Sequence, residues 1–294
     1  MPTVTSRHIE TLRAEVARRT KTRRVQTRAE AERFVREVGF CFFWPIKDVE
    51  MPNLFHAIAG RVRDVPNAHD DPDIGKSWTW KDEALGQRKW YYGKLLRSRA
   101  TLVALDYLPY FYALSPNYGD EADYLGEYES GQLTREARDV YEALYRIGPL
   151  DTVRLRREAH LSAENAKSRF EKALTELQVS MKILPVGVAE AGAWRYAFVY
   201  ELVTRHFPRL AEQARPVSRQ DARAKITARF IDNVVAATQA DIARAFSVLK
   251  WTGRELERTL AGLVEKGGIA PCTVKGWDGE YYVSSAAVAS PLSP

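Results

Sequence analysis

Three groups of residues in this chain have the types and spacing to do chemistry. The first is Phe42-Phe43-Trp44, three consecutive rings followed, after Pro45, by the carboxylates Asp48 and Glu50. Rings can stack on an unpaired base, worth about 1–3 kcal/mol per base. A carboxylate beside them could position water or balance a developing positive charge. Phe43 and Trp44 are therefore candidate base-stacking residues and Asp48 the candidate catalytic acid. An apolar run closed by proline is, however, more often core, and adjacent acids are usually solvated. Asp82 and Glu83, in TWKDEALG, are further acids of the same kind. The second group interleaves Trp78, Trp80, Trp90, Tyr91 and Tyr92 with Lys76, Lys81, Lys89 and Lys94. This mixture suits nucleic acid, and it suits a half-buried helix face equally well. The third group is basic: Lys167, Arg169 and Lys172, then Arg254 and Arg258, with Arg195 and Lys275 beside two short loops. Such side chains can reach phosphates and base edges.

The basic group lies on a pattern that occurs twice. In the first copy, Thr152 is the expected N-cap of VRLRREAHL, AENAKSRFEKALTELQ follows as a longer helix, and MKILPVGV and WRYAFVYEL flank a loop. In the second, Thr238 is the expected N-cap of QADIARAFSV, followed by TGRELERTLAGLVEK, IAPCTVKG, a Trp-Asp-Gly loop and EYYVSS. The caps are 86 residues apart, the first strands 88 and the return strands 86. Phe170, Leu174 and Leu177 fall at i, i+4, i+7, as do Leu256, Leu260 and Leu263. Each stripe should pack inward and leave the basic residues toward solvent. Asp278-Gly279 is a hairpin signal. Helix, helix, strand, loop, strand is the order of a winged helix-turn-helix, whose longer helix enters the major groove of duplex DNA.

The chain has 294 residues, 44 basic and 38 acidic, for a net charge of +6. Residues 1–30 carry eight Arg and Lys against three Glu, and residues 215–229 carry five against one Asp. Phosphate backbones reward such clusters through counterion release; a solvated helix face has the same composition. The acidic stretch DEADYLGEYE (120–129) reads as a linker that should lie away from a DNA-binding face. No apolar run approaches the roughly 20 residues of a membrane helix, and MPTVTSRHIE has no apolar signal core. Cys41 and Cys272 give no disulfide framework, so a cytoplasmic protein is expected. The five histidines show no metal-ligand spacing, and there is no GxGxxG, Walker or GxSxG motif, so neither a metal nor a cofactor is expected.

Three units are expected: 1–130, 131–210 and 211–294, the last with an unstructured tail, AAVASPLSP. Within the first, helices are expected over Ser6 to about Arg24, from Thr27 to Gly39, from Pro52 at a first helical position, and over KSWTWKDEALG and RKWYYGKLLRSR. Asp64 to Lys76 reads as loop, and ATLVAL as a strand. Whether this unit is a third winged helix is left open by periodicity.

Several segments, taken in order, resemble a known family: VREVGFCFFWPIKDVEMPNLFHAIAG, KDEALGQRKWYYGKLLRSRATLV, YLPYFYALS, YRIGPLDTVRLRREAHL, and RFEKALTELQVSMKILPVG followed by WRYAFVYEL. Over about residues 28–284 the chain is similar to the winged-helix DNA glycosylases of the AlkZ/YcaQ type. The resemblance implies three tandem winged helices around a cleft for duplex DNA, with the first formed by residues up to about 130. It also implies excision of N7-alkylated purines or unhooking of crosslinks by a Gln-x-Gln or Gln-x-Asp motif just after a Leu-Gly-like helix end. The matching stretch here, Gly39 to Pro45, contains no Gln. The sequence reading is thus a mainly α protein with small β-hairpins, built of tandem winged helices, with double-stranded DNA as partner. Three readings follow: a DNA binder in or near repair of alkylated or crosslinked bases, a glycosylase using a residue other than Gln, or a transcriptional regulator.

Overall fold

The computed structural model describes residues 3–67, 70–192 and 194–285. After a short strand β1 (Thr3–Thr5) and helix α1 (Ser6–Val16), one order of elements recurs three times: helix, strand, helix, helix, strand, strand. In the first repeat these are α2 (Arg28–Val38), β2 (Phe40–Phe42), α3 (Leu54–Ala59), α4 (Pro72–Leu85), β3 (Tyr91–Lys94) and β4 (Ala100–Val103). Helices α5 (Leu108–Leu114) and α6 (Asp123–Glu129) lead to the second repeat. It comprises α7 (Arg135–Ile147), β5 (Leu150–Asp151), α8 (Thr152–Glu158), α9 (Lys167–Val179), β6 (Ile183–Ala189) and β7 (Ala197–Leu202). Helices α10 (Val203–His206) and α11 (Leu210–Ala214) connect to the third: α12 (Arg219–Val234), β8 (Ala236–Ala237), α13 (Gln239–Ala245), α14 (Gly253–Glu265), β9 (Ile269–Lys275) and β10 (Tyr281–Ser284). The sheets run β2-β4-β3, β5-β7-β6 and β8-β10-β9, so the first strand of each repeat pairs with the last. All of these pairings are antiparallel. The first unit therefore shares the element order and sheet topology of the other two.

Local chemistry sets many of the boundaries. Thr27 accepts from the amide of Glu30 and starts α2, while Thr238 with Asp241 and Thr252 with Glu255 form capping boxes at α13 and α14. Gly39 ends α2 at φ +74°, and a Cβ there would lie 2.8 Å from the Tyr107 ring, so only glycine fits without strain.

Other expectations are corrected. Asp151, not Thr152, caps α8: its Oδ1 accepts from the amides of Val153 and Arg154, both at 3.0 Å. The Thr152 hydroxyl instead donates to the Phe198 carbonyl, pinning α8 to β7. Asn53 caps α3, so Pro52 precedes the helix. Helix α1 ends at Val16, short of Arg24, and α4 begins at Pro72 inside the expected loop, because Asp71 caps it. RKWYYGKLLRSR is strand β3 and a short 3-10 turn, since Tyr91 and Tyr92 pair with Val103 and Leu102 on β4. The acidic stretch 120–129 is not a bare linker. It contains α6, with Glu121 ion-paired to Arg205 and Glu127 to the buried Lys182.

The repeats are not beads on a string. The first and third share one core, in which Phe40 meets Phe111 and Phe246 and the Asn233 amide donates to the Val38 carbonyl. The second has its own core around Leu144, Phe170, Leu177 and Leu202. Strand β1 adds in parallel to β9, with Thr5 opposite Lys275, and Ile9 joins a small cluster with Cys272 and Val283. The start of the expected 1–130 unit thus packs on the third repeat. The expected unstructured tail, 286–294, lies outside the described residues.

Candidate nucleic-acid interface

Helix α9 is the long helix of the second repeat. Phe170, Leu174 and Leu177 are buried along it, as their spacing requires, and Lys167, Arg169 and Lys172 are exposed. Arg169 is drawn to Glu136 of α7 at 3.0 Å. Lys167 and Lys172 have no ion-pair partner among the described residues. Lys172, Ser168 and Thr175 face a cleft of about 930 Å³ where all three repeats meet. The first repeat supplies Lys94, the third Arg219 and Lys250. Lys94 Nζ donates to Thr175 Oγ1 at 3.1 Å, which holds the C-terminal half of α9 against β3. The N-terminal half carries Lys167 and Lys172, and this is the end of a recognition helix that meets base edges in a helix-turn-helix. Of the three acids lining the cleft, Glu127 is neutralised by Lys182 and Glu176 accepts from the Thr134 amide and hydroxyl, while Glu171 is exposed beside Lys172.

Helix α4 holds the same position in the first repeat but does not face outward. Its Lys81 is 0% exposed. The ammonium sits 3.8 Å from the Trp78 ring centroid, 4.4 Å from Phe198 and 5.4 Å from Tyr92, with Phe43 and Tyr196 both at 5.6 Å. It donates to Tyr196 Oη at 2.9 Å and pairs with Asp82 Oδ1 at 2.8 Å, and Tyr196 donates to the same carboxylate at 3.0 Å. Burial pushes the Lys81 pKa down to about 8, with Asp82 opposing the shift. Asp82 is thus a partner of this lysine, and Glu83 pairs with Arg28.

Phe42 and Phe43 are fully buried, Phe42 in β2 opposite Thr101. Phe43 has no face to offer a base and is a core residue. Trp44 is half-buried against Phe43, Phe55 and Trp78. The stretch where the resemblance expects Gln therefore presents packed rings. Asp48 is exposed, at φ +59°, on the rim of a second cavity of about 360 Å³ between the first and third repeats. Glu50 lines the same cavity but is ion-paired with Arg19 at 2.9 Å.

Arg254 and Arg258 are exposed on α14. Arg195 pairs with Glu190 in its own loop, and Lys275 ends β9 beside β1. Next to Arg195, Trp194 is 90% exposed, and the sequence reading passed over it. Much of the basic charge in the two runs is spent inside the molecule. Arg13 donates to the carbonyls of Val234 and Ala236, and Arg18 pairs with Glu37. Arg219 reaches the last carbonyls of α5, Arg223 pairs with Glu255, and Arg229 donates to Tyr107. Lys94, Arg219 and Lys250 were not singled out as one group, because nothing in their spacing marks a cleft shared by three repeats.

No helix among the described residues is long and apolar enough to cross a membrane, and no cluster of three or more His, Cys, Asp or Glu there could hold a metal. No curated protein matches the chain. A solved structure, the DNA glycosylase AlkZ of Streptomyces sahachiroi, is similar over 98% of this chain and 73% of its own, with a TM-score of 0.61 and 12% identity. That likeness is one of fold. The family model for AlkZ-related proteins matches residues 25–247, which takes in the first two repeats and most of the shared core: the chain belongs to the AlkZ-related family.

Proposed function

We propose that this protein binds duplex DNA through the cleft between its three repeats, in a role related to DNA base repair. The observation that carries this reading is the placement of Lys172 at a cleft to which each repeat contributes a cation, with Lys167 exposed on the same open half of α9. Membership of the AlkZ-related family and likeness of fold to a DNA glycosylase support it. Phosphate contacts release counterions, so the affinity should fall steeply with salt, by about 0.9 in log–log slope per contact. In a fluorescence anisotropy titration with a short labelled duplex, the protein should bind at about 50 mM salt and weaken strongly by about 200 mM. An absence of binding at the lower salt would contradict the proposal.

A second reading is a glycosylase that works without Gln. It rests on Asp48, an exposed carboxylate at the mouth of a cavity large enough for a base. The test is release of free base from an N7-methylated duplex. The reading expects Asp48→Asn to reduce release by about 10²-fold or more, the scale of losing a general acid–base group. Release that persists in the variant would remove Asp48 from the account.

A further inference from the structure

A buried ammonium needs a reason, because hydrophobic replacements of similar size often do as well or better. Lys81 joins two repeats. Phe43, Trp78 and Tyr92 come from the first, and Tyr196 and Phe198 from the second. Tyr196 immediately precedes β7, at the base of the loop that carries Trp194 and Arg195. Near this point α4 also touches β6 through backbone: a Cβ on Gly86 would lie 3.3 Å from the Val186 carbonyl oxygen.

We propose that Lys81 is a positioning residue, whose caged ammonium, with Asp82, holds Tyr196 and thereby fixes the β6–β7 hairpin against α4. The hydrogen bonds close a ring. Lys81 donates to Tyr196 Oη, Tyr196 donates to Asp82, and Asp82 balances the ammonium. The rings add cation–π attraction, which is strongest where water is excluded. The titratable groups facing the ammonium are Asp82 on α4, Tyr92 on β3 and Tyr196 before β7; the stretch after β2 contributes only the uncharged Phe43. Burial holds both phenols above their ordinary range, so among these groups Lys81 is the one that loses charge under mildly alkaline conditions. The hairpin is then held by a side chain of another repeat. That this orients Trp194 and Arg195 toward DNA rests on the proposed duplex function; the fixing of the hairpin itself does not.

Hydrogen exchange of the free full-length protein separates the two. In Lys81→Met, and in Tyr196→Phe, peptides spanning the β6–β7 loop should exchange about tenfold faster or more than in the wild type, while those of α7 and α9 stay unchanged. In the wild type the same peptides should slow between pH 7 and pH 9.5, after correction for intrinsic rates, because the solvated lysine of the opened cage holds its proton more tightly than the caged one, and this pH response should vanish in Lys81→Met. Unchanged loop exchange in both variants would overturn the proposal. So would a rise spread equally over α9, which would make Lys81 a general support of the fold. Neither outcome bears on whether the protein binds DNA.

Discussion

Between pH 7 and pH 9.5 the wild type will gain about 2 kcal/mol of stability relative to Lys81→Met. The ammonium is enclosed by five rings with one carboxylate for charge balance, and burial lowers its pKa from 10.5 to about 8. A lysine depressed in this way binds its proton more weakly in the folded chain than in the unfolded one. Between about pH 8 and 10.5 the unfolded chain holds a proton that the folded chain has released, so wild-type stability rises with pH through that window. At about 1.4 kcal/mol per pKa unit, this gain comes to roughly 2 kcal/mol by pH 9.5. Methionine has nothing to titrate and fits an aromatic box well. Burial also raises the pKa values of Cys41 and of Tyr91, Tyr92, Tyr196 and Tyr200, which lowers stability at alkaline pH. These groups are present in both proteins and largely cancel in the difference. Denaturant unfolding of the two proteins at pH 7, 8.5 and 9.5 checks the result. A difference that does not change with pH would mean that the ammonium is solvated.

The second and third repeats were legible because their signals are local. The cap at Thr238, the stripes Phe170-Leu174-Leu177 and Leu256-Leu260-Leu263, and the Asp278-Gly279 turn act within a few residues. The first repeat hid itself for physical reasons. Strands β2 and β3 are three and four residues long and almost wholly buried, so they show no alternation. Helix α3 spans only six residues. Helix α4 directs a lysine inward, so a charge that should mark the solvent face marks the interface with another repeat.

The candidate site divides in the same way. The basic residues of α9 were found from helix order alone, but the cleft that Lys172 lines was not, because Lys94, Arg219 and Lys250 come from three distant segments. Charge counting overstated residues 1–30 and 215–229, since the carboxylates, carbonyls and phenol that occupy Arg13, Arg18, Arg223 and Arg229 are mostly remote in sequence. The aromatic run 42–44 was read both ways, and burial settles Phe43 as core.

The central claim is that α9 meets duplex DNA at its N-terminal half. Lys167→Ala/Lys172→Ala removes two exposed cations that have no ion-pair partner among the described residues, and neither supports the core. The fold should be kept, because surface changes of this kind usually alter stability by less than about 0.5 kcal/mol. Two lost phosphate contacts should make the salt slope shallower by about 1.8 and weaken binding about 10- to 100-fold at low salt. Arg195→Ala should do less, since Glu190 already balances that charge within the loop. The most direct measurement is therefore the salt dependence of duplex affinity for the wild type and the Lys167/Lys172 double variant, followed by anisotropy. The account predicts weaker binding and a shallower slope in the variant. Equal affinity and equal slope in the two proteins would contradict it.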